Sequence, residues 1–128
     1  SAMDQVKFPP GYQQVMPYLI IKDAAGLSAF VQNVFHGKEV LREMRDGTRI
    51  MHAEVKVGES TIMFADSTEQ FPPCTGGVCI YVEDAEETVS RALAEGASVL
   101  QPVTEREYGR SGGISDPFGN TWWVTSVK

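Results

Sequence analysis

Short apolar runs and two longer segments of helical spacing alternate along the chain. The run from Tyr18 to Ile21 ends at Asp23, and the run from Cys79 to Val82 ends at Asp84 in the same way. Apolar residues then recur every three or four positions, at Leu27, Phe30, Val31 and Val34 in the first half and at Val89, Ala92 and Leu93 in the second. Each half therefore predicts a strand followed by an amphipathic helix.

The residues that start and stop these elements also occur twice, in the same order. They are Asp23 and Asp84 as predicted N-caps, Gly37 and Gly96 as predicted left-handed C-caps, and Gly58 and Gly119 in turns before a last apolar strand. An internal repeat of this kind indicates duplicated supersecondary units. We predict an α+β fold of two βαβββ modules, at about residues 15–66 and 76–127 with a linker at 67–75, in a single domain covering residues 1–128.

Alternation along the predicted strands assigns their side chains to two faces. Leu19 and Ile21 in the first strand, like Ile80 in the fifth, are expected beneath a helix. The opposite face would carry Tyr18, Ile20, Cys79 and Tyr81, and the same parity adds Ile62, Phe64 and Trp123. The predicted architecture is a curled mixed sheet around an aromatic-lined pocket, with the helices on its outer face. Packing of a dimer or of a second core layer is the alternative use of these aromatics.

Composition and charge narrow the classes of partner. The 128 residues carry a formal net charge of -6, which disfavours nucleic acid as a partner. No apolar run approaches the ~20 residues needed to cross a bilayer, and no signal peptide is recognised, so a cytoplasmic protein without a membrane partner is expected. Ser1 and Ala2 before Met3 are interpreted as a remnant of cloning. Cys79 is expected to be buried and Cys74 exposed, and two cysteines are too few for a zinc site.

Two polar clusters are candidates for chemistry. His52 and Glu54 lie two residues apart on one predicted strand, so they share a face and could form an acid/base pair, or merely a polar face toward water or a partner. Tyr108 and Arg110 belong to a glycine-bearing segment that is expected to form a loop, in which Arg110 could face an anionic ligand group.

The tandem modules, together with Asp116-Pro117-Phe118-Gly119 before the last strand, resemble the vicinal oxygen chelate superfamily of glyoxalases, bleomycin resistance proteins and extradiol dioxygenases. Within it the Met51-His52-Ala53-Glu54 stretch is similar to glyoxalase-like proteins of unassigned substrate. The resemblance implies a homodimer with a barrel-like cavity formed by two modules. It also implies metal ligands at four positions, which here are Met16, Gly77, Ile62 and Trp123. None is a suitable ligand for a hard divalent metal, so no metal or other cofactor is expected.

The leading hypothesis is metal-independent binding of a small apolar or aromatic molecule in a pocket between modules. Tyr18, Phe64, Tyr81 and Trp123 would line it, and His52 and Glu54 would orient a polar group of the ligand. A lyase, isomerase or dioxygenase that uses His52 and Glu54, with a displaced metal or as acid and base, is the enzymatic alternative. An interaction module without a ligand is the third. Pairing of the modules within one chain or between two chains stays open.

Overall fold

The computed structural model describes residues 5–128. The predicted cloning remnant at Ser1 and Ala2 lies outside the described residues. In the described part the elements are β1 (Tyr18–Ile21), α1 (Ala24–Phe35), β2 (Lys38–Met44), β3 (Ile50–Val57), β4 (Ser60–Asp66), β5 (Gly77–Tyr81), α2 (Ala85–Ala94), β6 (Ser98–Arg106), β7 (Gly109–Ser115) and β8 (Thr121–Val127). Neither helix has the length and apolar content that would be needed to span a bilayer.

The strands form two four-stranded mixed sheets, which confirms the predicted tandem α+β modules. Sheet A has the order β1-β4-β3-β2, and sheet B repeats it as β5-β8-β7-β6. The first strand of each module runs parallel to the last, while the other pairs are antiparallel. The connection between the two parallel strands of each module contains its helix and its two middle strands. Within residues 5–128 the two sheets do not close into a barrel.

The helix ends follow the predicted chemistry with one exception. Asp23 accepts a hydrogen bond from the amide of Gly26, and Asp84 accepts one from the amide of Glu87, so both act as N-caps. The predicted left-handed cap at Gly37 is wrong, because His36 holds the left-handed conformation with φ 58°. Gly37 instead permits close packing, since a Cβ there would lie 2.7 Å from Cγ1 of Val55.

One core serves both modules. Buried side chains from both modules belong to a single apolar cluster. Across the junction, Phe35 at the end of α1 lies with its ring centroid 4.7 Å from that of Trp122 in β8, and Phe30 meets Phe118 edge to face. The two helices also contact each other. Both sheets therefore turn their helix-bearing sides toward a common core, and their open faces point away from it.

The predicted parity of β4 is wrong. β4 pairs with β1 so that Phe64 lies beside Leu19 and Met63 beside Tyr18. Phe64 is fully buried, and Ile62 shares its helix-facing side of the sheet. The faces of the last strands cannot be assigned by counting from the two turn glycines. The residue of the last strand that pairs with the first strand is shifted by one position between the two modules. Trp123 does pair with Cys79 on the open face of sheet B, as predicted.

The two cysteines do not separate into a buried and an exposed thiol. Both Cys74 and Cys79 are exposed, so the expectation of a buried Cys79 is wrong. Cys79 lies on the open side of β5, where no layer of the described chain covers it. Cys74 forms an isolated antiparallel bridge with Ile20, which pairs the linker with the outer edge of β1.

Candidate functional site

The open face of sheet A carries a continuous line of side chains across its four strands. Tyr18 pairs with Met63, Met63 with Glu54, and Glu54 with Leu41. Side chains at paired positions share one face of a sheet. His52 is two residues from Glu54 on β3 and therefore lies on the same face. The pairing therefore brings the predicted residues Tyr18, His52 and Glu54 together at the centre of one surface.

A chain of hydrogen bonds joins these three side chains to a fourth, Tyr12. The Tyr18 hydroxyl lies 3.0 Å from Nδ1 of His52, and Nε2 of His52 lies 2.7 Å from Oε2 of Glu54. The hydroxyl of Tyr12, in the segment before β1, donates to both carboxylate oxygens of Glu54 at 2.8 and 2.7 Å. We call Tyr12, Glu54, His52 and Tyr18 the relay, because they are linked in that order.

Burial within the relay rises from its Tyr18 end to Glu54. Tyr18 is 46% exposed, whereas Glu54 is only 4% exposed. The hydrogen bond to Glu54 raises the pKa of Tyr12, and partial burial raises the pKa of Tyr18. Both phenols therefore keep their protons at neutral pH. Charge-assisted bonds offset the cost of burying a carboxylate, so Glu54 is the buried member of the relay and Tyr18 its most exposed end on the open face.

The open face of sheet B presents aromatic side chains. Tyr81 is 71% exposed and Trp123 is 40% exposed. The indole of Trp123 lies over Gly113, where an added Cβ would come 2.6 Å from the ring. A shallow cavity of about 340 Å³ opens beside this indole, lined in part by Gln101, Tyr108 and Ser111. Sheet B thus supplies an apolar, aromatic wall with polar groups at its rim.

The segment that contains Tyr108 and Arg110 is a β-hairpin, so the predicted loop over the pocket is wrong. β6 extends to Arg106 and β7 begins at Gly109, which leaves two residues for the turn. Tyr108 lies at this turn and borders the cavity beside Trp123. Arg110 forms ion pairs with Glu105 and, on α2, with Glu86, so its guanidinium is directed to the helix side of sheet B.

A second groove, of about 530 Å³, lies between the modules on the helix side. Its lining includes Phe35, His36, Ile80 and Arg91. The guanidinium of Arg91 is already engaged, because it donates to the carbonyl of Val34 and pairs with Glu87. The groove therefore offers no free guanidinium at Arg91, and it brings together none of the residues of the relay.

The positions where metal-dependent relatives would hold a metal do not suit one here. Met16, Gly77 and Trp123 provide no oxygen or imidazole ligand, and the Ile62 side chain lies in the core. Within residues 5–128 no three His, Cys, Asp or Glu side chains are grouped as metal ligands would be. The donor set does not fit a hard divalent cation.

Sequence reasoning missed Tyr12, Met63 and Gly113. Tyr12 precedes β1, and no periodicity connects it with Glu54. Met63 was assigned to the wrong face by parity. Gly113 follows Gly112 in β7, and a glycine within a strand is a signal of close approach by another group. The sequence therefore contained a signal of close approach, but it did not identify Trp123 as the approaching group.

Comparisons with known proteins give the same picture of the fold. An uncharacterized protein of Mycobacterium bovis is 29% identical over 118 residues, which cover 83% of this chain and 78% of that protein. The crystal structure of TioX from Micromonospora sp. ML1 is 24% identical, with a TM-score of 0.75, over 91% of this chain and 99% of that one. TnmS3, described as an antibiotic binding protein from Streptomyces sp. CB03234, is 16% identical, with a TM-score of 0.70, over 97% and 98% of the two chains.

Most of the sequence also fits one family model. The match covers residues 11–124, which include every strand and helix of the two modules except the end of β8. The chain therefore belongs to the Glyoxalase/Bleomycin resistance protein/Dioxygenase superfamily.

Proposed function

We propose that this chain is a cytoplasmic, homodimeric, metal-independent binding protein for a small apolar or aromatic molecule. Each of its two sites would combine the open face of sheet A in one subunit with the open face of sheet B in the other. Tyr18, His52 and Glu54 would form the polar wall, while Tyr81, Tyr108 and Trp123 would form the aromatic wall. Phe64 is left out because it lies in the core, and Arg110 because of its ion pairs.

The arrangement of the two open faces is the observation that carries this proposal. Because α1 and α2 pack together in one shared core, the open faces of a single chain point in different directions. A ligand cavity normally encloses most of the ligand surface, and one open sheet cannot do that. A second copy supplies the missing wall and gives two equivalent sites by twofold symmetry.

The chemistry of the two walls supports a ligand with an aromatic part and one polar group. Large exposed aromatics on a sheet face mark a surface that is covered in use, and the Trp123 indole lies against Gly113. The polar wall offers a single accessible hydroxyl, at Tyr18. One solved protein of the same fold is described as antibiotic binding, which is compatible with this role. The net charge of -6 disfavours nucleic acid as the ligand.

Subunit complementation tests the proposal. Tyr18→Ala damages only the sheet A wall and Trp123→Ala only the sheet B wall. Each variant homodimer should bind the uncharged probe 4-nitroanisole at least about tenfold more weakly than the unmodified protein in calorimetry, because a large aromatic contact is lost. Co-expression with two different affinity tags then isolates the mixed dimer. One of its two sites contains both substitutions, and the other contains neither.

The mixed dimer should therefore recover about half of the full-affinity sites. Phe71→Ala removes an exposed aromatic of the linker, outside the strands of both sheets, and serves as the control that leaves binding unchanged. A monomer in sedimentation, or a mixed dimer that recovers no full-affinity site, would contradict a cavity shared between subunits. Absence of probe binding by the unmodified dimer would contradict the binding function itself.

Catalysis by proton transfer is the second candidate, favoured by the hydrogen bond between His52 and Glu54. A carboxylate that holds the imidazole in one tautomer makes it a competent general base. If the protein is an isomerase of this kind, it should exchange the hydrogens beside the carbonyl of 2-hydroxyacetophenone with D₂O. Proton NMR would follow the exchange, and His52→Gln should abolish it. Exchange no faster than in buffer rules out this candidate for that probe.

A further inference from the structure

The direction of each hydrogen bond in the relay follows from what each group can donate. A carboxylate only accepts, so Tyr12 and Nε2–H of His52 must both donate to Glu54. A neutral imidazole with its proton on Nε2 has a free lone pair on Nδ1. The Tyr18 hydroxyl must then donate to Nδ1 across the 3.0 Å contact. The relay therefore has one orientation when His52 is neutral.

This orientation determines what Tyr18 offers to a ligand. Its only proton is engaged with His52, so its oxygen faces the open surface as an acceptor. A ligand hydroxyl that donates to Tyr18 is therefore linked to the base, His52, through the Tyr18 hydroxyl alone. Tyr18 and His52 are both open enough to be reached from the face, whereas Glu54 is buried behind them.

We propose that the relay takes a proton from the ligand, so that the site selects weakly acidic hydroxyaromatic molecules and holds them as anions. The ligand O–H proton moves to the Tyr18 oxygen, and the Tyr18 proton moves to Nδ1 of His52. The products are a ligand phenolate and an imidazolium, and Tyr18 is again neutral. Nε2–H stays with Glu54, whose carboxylate stabilises the new positive charge. No other reactant is needed.

The charged groups around His52 are compatible with this transfer. Glu54 on β3 bonds to the imidazole, and Glu43 on β2 pairs with His52 across the sheet. At Tyr18 burial raises the pKa, Arg45, which follows β2, lowers it, and the carboxylates of Glu43 and Glu54 raise it. Tyr12 contributes its hydrogen bond to Glu54 from the N-terminal segment. An anion bound at Tyr18 would therefore be stabilised by the imidazolium and by Arg45, against the two carboxylates.

The inference that the ligand is aromatic rests on the proposed function, in which Trp123 and Tyr81 of a second subunit cover this face. A phenol presents a flat ring for those side chains and an acidic hydroxyl for Tyr18. An aryl methyl ether of the same shape presents the ring without the proton. Comparison of the two probes therefore separates the transfer of a proton from the binding of an aromatic ring.

The test uses 4-nitrophenol, whose phenolate absorbs visible light, and 4-nitroanisole, its methyl ether. Both are titrated with the intact protein about one pH unit below the pKa of the phenol in water, where roughly one-tenth of the free phenol is ionised. The expected result is that most of the bound 4-nitrophenol has the phenolate spectrum, which corresponds to at least a tenfold shift of its ionisation equilibrium. The ether should bind without a spectral change of this kind.

Variants assign the effect to the relay. His52→Gln and Tyr18→Phe should leave bound nitrophenol in its neutral form, whereas the unmodified protein holds it as the phenolate. His36→Asn removes the other histidine, at the end of α1, and should behave as the unmodified protein does. Circular dichroism checks that each variant is folded.

Two outcomes would overturn the inference. Nitrophenol that binds in its neutral form, while the ether also binds, refutes the proton transfer and leaves the proposed function intact. Binding of neither probe to the dimer refutes both. A phenolate spectrum that persists in His52→Gln would also refute the role of the relay, because the proton would then have another acceptor.

Discussion

Individual side chains determine the chemical character of the open faces. Glu54 is buried and ionisable, a combination that proteins support only with several donors. Two of its partners, Tyr12 and His52, come from different segments of the chain. Its position thus depends on the segment before β1 lying across sheet A, where Gln13 also bonds to the backbone of Thr61.

Replacement of Tyr12 by Phe tests this dependence. The change keeps the ring but removes the donor to both oxygens of Glu54, so the free energy of unfolding should fall, and by more than in the control variant. Urea denaturation followed by fluorescence measures it. Tyr108→Phe, at an exposed hairpin turn, is the matched control and should change stability by less than about 0.5 kcal/mol. Equal effects of the two substitutions would show that Tyr12 does not anchor Glu54.

Gly113 controls the position of Trp123 in sheet B. An added Cβ would lie 2.6 Å from the indole, so Gly113→Ala should displace the ring from the sheet and shift its fluorescence. Affinity for 4-nitroanisole should also fall severalfold. Gly47→Ala is the control, since a Cβ at that turn meets nothing within 4 Å. An unchanged emission spectrum in Gly113→Ala would mean that the indole does not rest on this glycine.

At the scale of elements, turns and caps determine where strands and helices end. The turn between β7 and β8 is organised by Asp116, which accepts from the amides of Phe118 and Asn120 and from the side chains of Asn120 and Trp122. The Asp-Pro-Phe-Gly sequence predicted this turn. The contact with the Trp122 indole could not be predicted, because it joins the turn to a core side chain six residues away in sequence.

Asp116→Asn should weaken this turn while preserving its shape. The amide can accept on only one side, so at least one buried donor among Asn120 and Trp122 loses its partner. A loss of about 2 to 3 kcal/mol in unfolding free energy is expected from thermal or urea denaturation. Asp46→Asn changes a comparable but exposed turn between β2 and β3 and should cost less. A smaller effect at position 116 than at position 46 would contradict this account.

At the scale of the whole molecule, the two modules are joined by the contact of Phe35 with Trp122 and by the packing of the helices. They should therefore unfold together. Phe35→Ala is expected to reduce stability by about 3 to 4 kcal/mol through the cavity that it leaves, with a single transition seen by both fluorescence and circular dichroism. Leu93→Ala on the exposed side of α2 is a milder control. Two separated transitions in the unmodified protein would contradict a shared core.

The order of the elements, the duplication and the family could be predicted from the sequence, because strand alternation, helical spacing and cap residues are local signals. It also placed His52 and Glu54 on one face, since residues two apart on a strand always share a face.

The residues that contact His52 and Glu54 could be identified only from the three-dimensional structure. Strand register assigned Met63 rather than Phe64 to the open face, and a one-residue difference in pairing is invisible in spacing counted from a turn. The contact of Tyr12 with Glu54 spans 42 positions, and the packing of Trp123 on Gly113 joins two strands. The outward direction of both open faces follows from helix packing between modules, which depends on the three-dimensional fit of side chains distant in sequence.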